Sequence, residues 1–219
     1  ALQIIDLESV LLKDETGDDF SLIQFNDLFS APEFNGKTLE DYMLAKGYPN
    51  TLDGGIEAII DLELAGGFLA IYHEMDEQDI INILKHPESM IETDGDLINP
   101  NSNIFPHPRS YGSFPRVLSK YVRELKILTL EQAIQKMTSM TAMQIRQDDL
   151  GKIVSGAYAD LIVFDFNNVQ DRSTFENPQL ISEGIDHVMV NGKFVIKNRT
   201  MTENRPGIFL QRIKHRIVD

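Results

Sequence analysis

Apolar positions in this 219-residue chain follow two different periods, one for most of its length and another near its end. Thr38 predicts the N-cap of a short helix, with Asp41 in its first turn and Leu39, Tyr42 and Met43 on one face, ending near Gly47. A second helix is predicted from about Asp53, with Ile56, Ile59, Ile60 and Leu64 on one stripe, stopped by Gly66-Gly67. The run Phe68–Tyr72 is continuous and apolar, which predicts a strand buried on both faces of a parallel sheet. Asp76 opens a further helix with Ile80, Ile83 and Leu84 inward, closed by His86-Pro87, and the next strand is predicted to lead to Asp94. Strand, helix, strand with short connections is a βα repeat. Before all this, short apolar runs at Ile4-Ile5, Val10–Leu12 and Leu22-Ile23 predict strands separated by acidic turns.

Further on, Phe114, Val117, Leu118, Tyr121, Val122 and Leu125 recur at helical spacing. Thr129-Leu-Glu-Gln132 reads as a capping box, followed by an inward stripe of Leu130, Ala133, Ile134 and Met137. Near residue 150 the period becomes extended. Gly151–Val154 and Gly156–Asp165 predict strands joined by a glycine turn. Ile185–Val190, Asn191-Gly192 and Lys193–Ile196 predict a hairpin with a strong turn signal. The stretch Phe209–Asp219, mixed basic and apolar, predicts a terminal helix. There is no internal repeat.

Composition narrows the partners. The chain is 42% apolar and 25% charged, as a globular protein is. Twenty basic against 34 acidic residues give a formal charge of −14, which disfavours nucleic acid and anionic membranes as partners. A basic side chain near a pocket therefore carries more meaning than usual. With no cysteine, disulfides and thiolate metal sites are excluded within this chain. No run predicts a membrane span. The opening Ala-Leu-Gln-Ile-Ile-Asp lacks the marks of a signal peptide and reads as the middle of something longer. The compartment stays open, with the cytoplasm favoured.

Candidate chemistry centres on Met90-Ile-Glu-Thr-Asp-Gly95 and, after a polar loop, His107-Pro-Arg109. On Thr93-Asp94-Gly95 alone the plainer reading is a buried strand ending in a turn. The longer string His107-Pro-Arg-Ser-Tyr-Gly-Ser-Phe-Pro-Arg-Val-Leu118 resembles the motif after the last barrel strand of N-acyl-D-amino-acid deacylases in the amidohydrolase superfamily. Glu33–Leu39, Gly66-Gly67 with Ile71–Met75, Leu130–Ser139, Gly156–Asp165 and Val190–Gly192 fit the same family, so the likeness runs from about residue 30 onward.

That resemblance implies an α/β fold, the C-terminal portion of a (β/α)8 TIM barrel over 1–145 followed by strands of a small β-sandwich over 146–219. It implies a zinc-dependent hydrolase of N-acyl-D-amino acids. Asp94 falls on the family's catalytic aspartate, which also places it among the metal's neighbours, and Arg109 falls on the arginine that holds the substrate's α-carboxylate. The chemistry is consistent with both roles. Amide hydrolysis near neutral pH needs an activated water, which zinc supplies by lowering the water's pKa to roughly 7. One carboxylate can take that water's proton and pass it to the leaving amine. Arginine's planar fork suits a carboxylate.

The sequence also departs from the family. There is no His-x-His pair, and the five histidines at 73, 86, 107, 187 and 215 show no ligand spacing. His73 is expected to be packed or hydrogen-bonded, His86 a helix-end residue, His107 a shaper of the Arg109 loop, and His187 and His215 solvent-side. These features predict the closing part of a longer enzyme whose missing N-terminal half is a partner. The chain alone is expected to join that half, to self-associate as a homo-oligomer, or to expose apolar surface. Two alternatives stand beside this reading: another amidohydrolase branch, such as a cyclic-amide hydrolase or isoaspartyl dipeptidase, and a non-catalytic fragment.

Overall fold

The computed structural model describes residues 19–99 and 101–210. The strands expected at Ile4-Ile5 and Val10–Leu12, and most of the expected terminal helix, lie outside the described residues. The chain divides into two compact units: Ala1–Glu77 with Gly95–Ser110 and Thr174–Gln179, and Gln78–Asp94 with Tyr111–Ser173 and Leu180–Asp219.

In the first unit, a turn of 3₁₀ helix (Phe20–Leu22) leads into β1 (Ile23–Leu28). Helices α1 (Leu39–Lys46) and α2 (Leu52–Leu64) follow, then β2 (Phe68–Tyr72). Thr38 and Asp41 form a reciprocal capping box, each side chain accepting from the other's backbone N–H, at 3.1 Å both ways. Thr51 caps α2 by accepting from the Gly54 N–H. Leu39, Tyr42 and Met43 turn inward as their spacing requires, and Ile56, Ala58, Ile59 and Leu62 cover them from α2. Phe25 lies fully buried between the ring edges of Tyr42 and Phe68, at 6.0 and 5.4 Å between centroids. A fully buried side chain of this size is worth about 1.5–3 kcal/mol over its exposed state, so this cluster anchors the unit.

β2 corrects the expectation of a doubly buried parallel strand. It runs antiparallel to β1, with Ile23 opposite Tyr72 and Leu28 opposite Phe68. Its Leu69 is 56% exposed. The run of five apolar residues has no polar residue to mark an outer face, so one-sided and two-sided burial look alike in it.

The second unit is helical and then extended. It holds α3 (Glu77–Lys85) from Gln78 onward, and α4 (Arg109–Arg116) runs into it and passes directly into a π-helical stretch, Val117–Glu124. Pro115 within α4 has no N–H to donate and crowds the carbonyl four residues back, which accounts for the widened turn after it. The Leu125 N–H bonds to the Lys120 carbonyl, five residues back, at 2.8 Å. Helix α5 (Leu130–Met137) begins at the predicted capping box of Thr129 and Gln132, and α6 (Ser139–Gln144) follows. Val117, Tyr121 and Val122 pack with Leu84, Ile91, Leu128 and Ala133.

The tail forms a four-stranded antiparallel sheet in the order β3 (Leu161–Phe164), β4 (Ile185–Val190), β5 (Lys193–Lys197), β6 (Thr200–Met201). Asn191 and Gly192 both have positive φ, 47° and 74°, as the predicted two-residue hairpin turn requires. Arg123 ties the helices to the chain beyond β3, donating to the carbonyls of Phe166 and Val169 and to Gln170.

Two other predicted strands are absent among the described residues. Gly151–Val154 is irregular, with Ile153 88% exposed. Met90–Asp94 is irregular. The Ile91 N–H bonds to the carbonyl of Lys136, on α5, at 3.2 Å, so a helix takes the donor that a neighbouring strand would have paired.

Candidate active site

Asp94 and Arg109 belong to different units, and each takes its geometry from its own. Asp94 ends the segment that follows α3. It adopts φ +44°, a left-handed conformation that non-glycine residues enter at a cost and that aspartate tolerates better than most. Three residues earlier, Ile91 is buried in the helical core, so the chain is anchored just before it reaches the carboxylate.

On the other side of the unit boundary, the reason for Gly95 is close packing. A Cβ there would lie 2.8 Å from the Cα of Ser110. Asp96 then donates its backbone N–H to Ser110 Oγ at 3.1 Å. The Asp-Gly pair of the sequence thus combines an aspartate on a left-handed backbone with a glycine that the start of α4 demands.

Arg109 is exposed, at the first position of α4. His107 Nδ1 accepts the Arg109 backbone N–H at 3.0 Å and the His107 carbonyl accepts the Ser110 N–H at 3.0 Å. His107 is therefore a cap for α4, the loop-shaping role expected of it. Its ring meets Phe175 edge-on at 5.1 Å, and His73 meets the same ring at 4.5 Å. Gln24 completes the group: its Oε1 lies 3.2 Å from His73 Nε2, and its amide donates to the carbonyls of Gly36 and Phe175 at 3.0 and 3.1 Å. Glu176 comes next in the chain. The Thr174 hydroxyl and, to a smaller degree, the charge of His73 hold its carboxyl below the usual range.

His86 and His187 have structural roles. His86 ends α3, its Nδ1 accepting the Glu88 N–H at 3.3 Å. His187 is not simply solvent-side: it is half-buried on β4, accepts the Asn198 N–H at 3.1 Å and packs on Phe194. Its position in a strand beside an aromatic explains that placement. His215 lies outside the described residues.

Among the described residues no three His, Cys, Asp or Glu side chains come together as a metal site. Asp94 is an oxygen donor of suitable type, but a hydrolytic zinc takes about three protein ligands. These residues alone do not fit a metal. Sequence reasoning missed Gln24, Phe175 and Lys136. The unusual burial of Lys136 and the contacts of Gln24 with Phe175 become visible only once distant segments meet.

The model of the Amidohydrolase family matches residues 81–196, more than half of the chain, and the chain belongs to that family. Within it, the chain is similar to deacylases. It is 46% identical to the N-acyl-D-glutamate deacylase of Alcaligenes xylosoxydans xylosoxydans over 143 residues, 65% of this chain and 28% of that protein. It is 38% identical to the D-aminoacylase of the same organism over 181 residues, 83% of this chain and 35% of that one. A crystal structure of D-aminoacylase superposes with a TM-score of 0.73 at 36% identity, covering 83% of this chain and 36% of the other. The N-acyl-D-glutamate deacylase of Bordetella bronchiseptica, solved with zinc and a phosphonate inhibitor that mimics the tetrahedral intermediate, gives 0.72 at 36% identity over 84% and 37%. The chain spans about a third of the length of the curated relatives it matches.

Proposed function

We propose that this chain is the closing part of a metal-dependent N-acyl-D-amino-acid deacylase. The observation that carries the reading is the family match over 81–196, which spans both Asp94 and Arg109, joined to relatives that are themselves named deacylases. In this reading residues 1–145 complete a (β/α)8 barrel with the rest of the enzyme, and the sheet beyond 146 joins further strands in a β-sandwich. The unburied sheet β3–β6 supports the second half of that statement, since none of its residues is buried.

The substrate is a small N-acylated D-amino acid, and the reaction breaks its amide bond to give a carboxylate and a free amino acid. Asp94 takes the proton of the attacking water as general base and returns it to the departing nitrogen as general acid. Arg109 receives the α-carboxylate, for which a guanidinium fork is suited and whose negative charge the acidic remainder of the chain would repel. Zinc, present in the Bordetella relative, is the metal proposed for the whole enzyme; beyond Asp94, its ligands come from outside the described residues.

Asp94→Asn in the full-length enzyme tests this. The substitution keeps the shape and an acceptor but removes the proton carrier. The variant is expected to fold as the wild type does and to lose on the order of 10²–10⁴ in kcat. Turnover at the wild-type rate would remove Asp94 from the chemistry.

A further inference from the structure

We propose that Lys136 is a positioning residue for Asp94, its buried ammonium and its own carbonyl clamping residues 86–91, the chain that delivers the carboxylate. This rests on the Asp94 role given above. Lysine is almost never fully buried unless it is paired, yet Lys136 is 5% exposed. Its partners are neutral: Nζ donates to the carbonyl of His86, and to the carbonyl and Oγ of Ser89 at 2.9 Å each. Three donors meet three acceptors, which uses the whole hydrogen-bonding capacity of an ammonium. The backbone of the same residue takes the Ile91 N–H at 3.2 Å. Burial pushes the Lys136 pKa down, as it must for a cation held without a carboxylate.

A purely local role can be weighed against this. A cation at a helix C-terminus stabilises its last carbonyls, and His86 directly follows α3. That role needs only the His86 bond. The two bonds to Ser89 and the one from Ile91 lie beyond the helix and step along the chain toward Asp94. From Ile91 to Asp94 the backbone can reach at most about 10 Å, so an anchor there limits where the carboxylate can go. Removing the ammonium leaves three acceptors without their donor, so Lys136 also stabilises the fold, but a role confined to stability would leave the kcat of the folded variant unchanged. Holding the segment at fixed points while Asp94 adopts its left-handed turn is what the ammonium adds.

The test uses the full-length, metal-loaded enzyme with N-acetyl-D-glutamate as substrate, and compares Lys136→Met, Asp94→Asn and the double variant. Lys136→Met keeps the length and removes the donors. Its kcat is expected to fall roughly a hundredfold with KM within about twofold of wild type, as for a displaced catalytic group. In the Asp94→Asn background it should cost nothing further, because a residue acting through Asp94 has nothing left to position. Hydrogen–deuterium exchange of the peptide over residues 86–94 should be faster in Lys136→Met, with or without substrate. A wild-type kcat in Lys136→Met beside an inactive Asp94→Asn overturns this inference alone, as does an additive loss in the double variant or unchanged exchange over 86–94. An active Asp94→Asn removes the Asp94 role and this inference together. Should Lys136→Met not fold, Ser89→Ala, which withdraws one of the three acceptors, is expected to lower kcat severalfold with the same unchanged KM. Wild-type kcat there overturns the proposal too.

Discussion

His107 and Arg109 divide the work on one short loop. His107 accepts the Arg109 backbone N–H at Nδ1 and sets its ring against Phe175, so it shapes the start of α4, on which Arg109 stands. That division yields a sharp expectation. Lysine at 109 keeps the charge but loses the planar fork. Arg109→Lys should therefore raise KM for N-acetyl-D-amino acids much more than for the matching amides, which carry no carboxylate, with a loss of about 1.5–3 kcal/mol in kcat/KM for the acids. Steady-state kinetics on the paired substrates decides the matter, and equal losses on both would reduce Arg109 to a structural residue. At this scale the sequence marks candidates where a motif is continuous: Thr93-Asp94-Gly95 and His107-Pro108-Arg109 stand out in a single reading. It was silent where a role is made by distant contact. Gln24 meets Phe175 across 151 positions, and nothing local to either residue announces the other. Lys136 sits on the polar-looking side of its helix pattern, where a solvent-facing lysine would be the ordinary expectation.

Elements were legible wherever the signal was chemical and local. The Thr38–Asp41 and Thr129–Gln132 boxes form as the residue types dictate, and Asn191-Gly192 makes the turn it should. Strand readings failed at Met90–Asp94 and Gly151–Val154, because a short apolar run states a wish for burial but not who the hydrogen-bond partner will be. For Ile91 the partner is a helix carbonyl. The two glycines flanking β4 separate backbone strain from close approach. Gly184 and Gly192 both have positive φ, 81° and 74°. A Cβ at Gly184 would come within 2.5 Å of the Val169 backbone, whereas one at Gly192 meets nothing nearer than 3.9 Å. Gly184 also follows the Gln170–Glu183 bridge, whose two bonds measure 3.1 and 2.8 Å. Alanine at either site should lose about 1–2 kcal/mol from the left-handed backbone alone, and Gly184→Ala should lose more because the bridge must shift. Urea denaturation midpoints of the two variants give the comparison. If both lose the same amount, the approach to Val169 costs nothing.

At the scale of the whole chain, the described residues present an apolar surface and an incomplete set of ligands together. Every residue of β3–β6 is half-buried or exposed, although Ile162, Val163, Val188, Phe194 and Ile196 are of the kind that sheets bury. Unpaired edges and uncovered apolar faces seek partners. The described residues also offer no trio of metal-binding side chains, and carboxylates without imidazole or thiolate compete poorly for zinc. The purified 219-residue chain is therefore expected neither to bind zinc with sub-micromolar affinity nor to hydrolyse N-acetyl-D-amino acids, and to self-associate at micromolar concentration. Titration calorimetry with zinc, a deacylase assay and sedimentation velocity on the same preparation measure the three quantities. If the chain is the closing segment proposed above, adding the remaining part of the full-length enzyme as a second polypeptide should dissolve the self-association and restore turnover. Tight zinc binding with turnover by this chain on its own would place a complete active site within it and refute the reading of a closing segment.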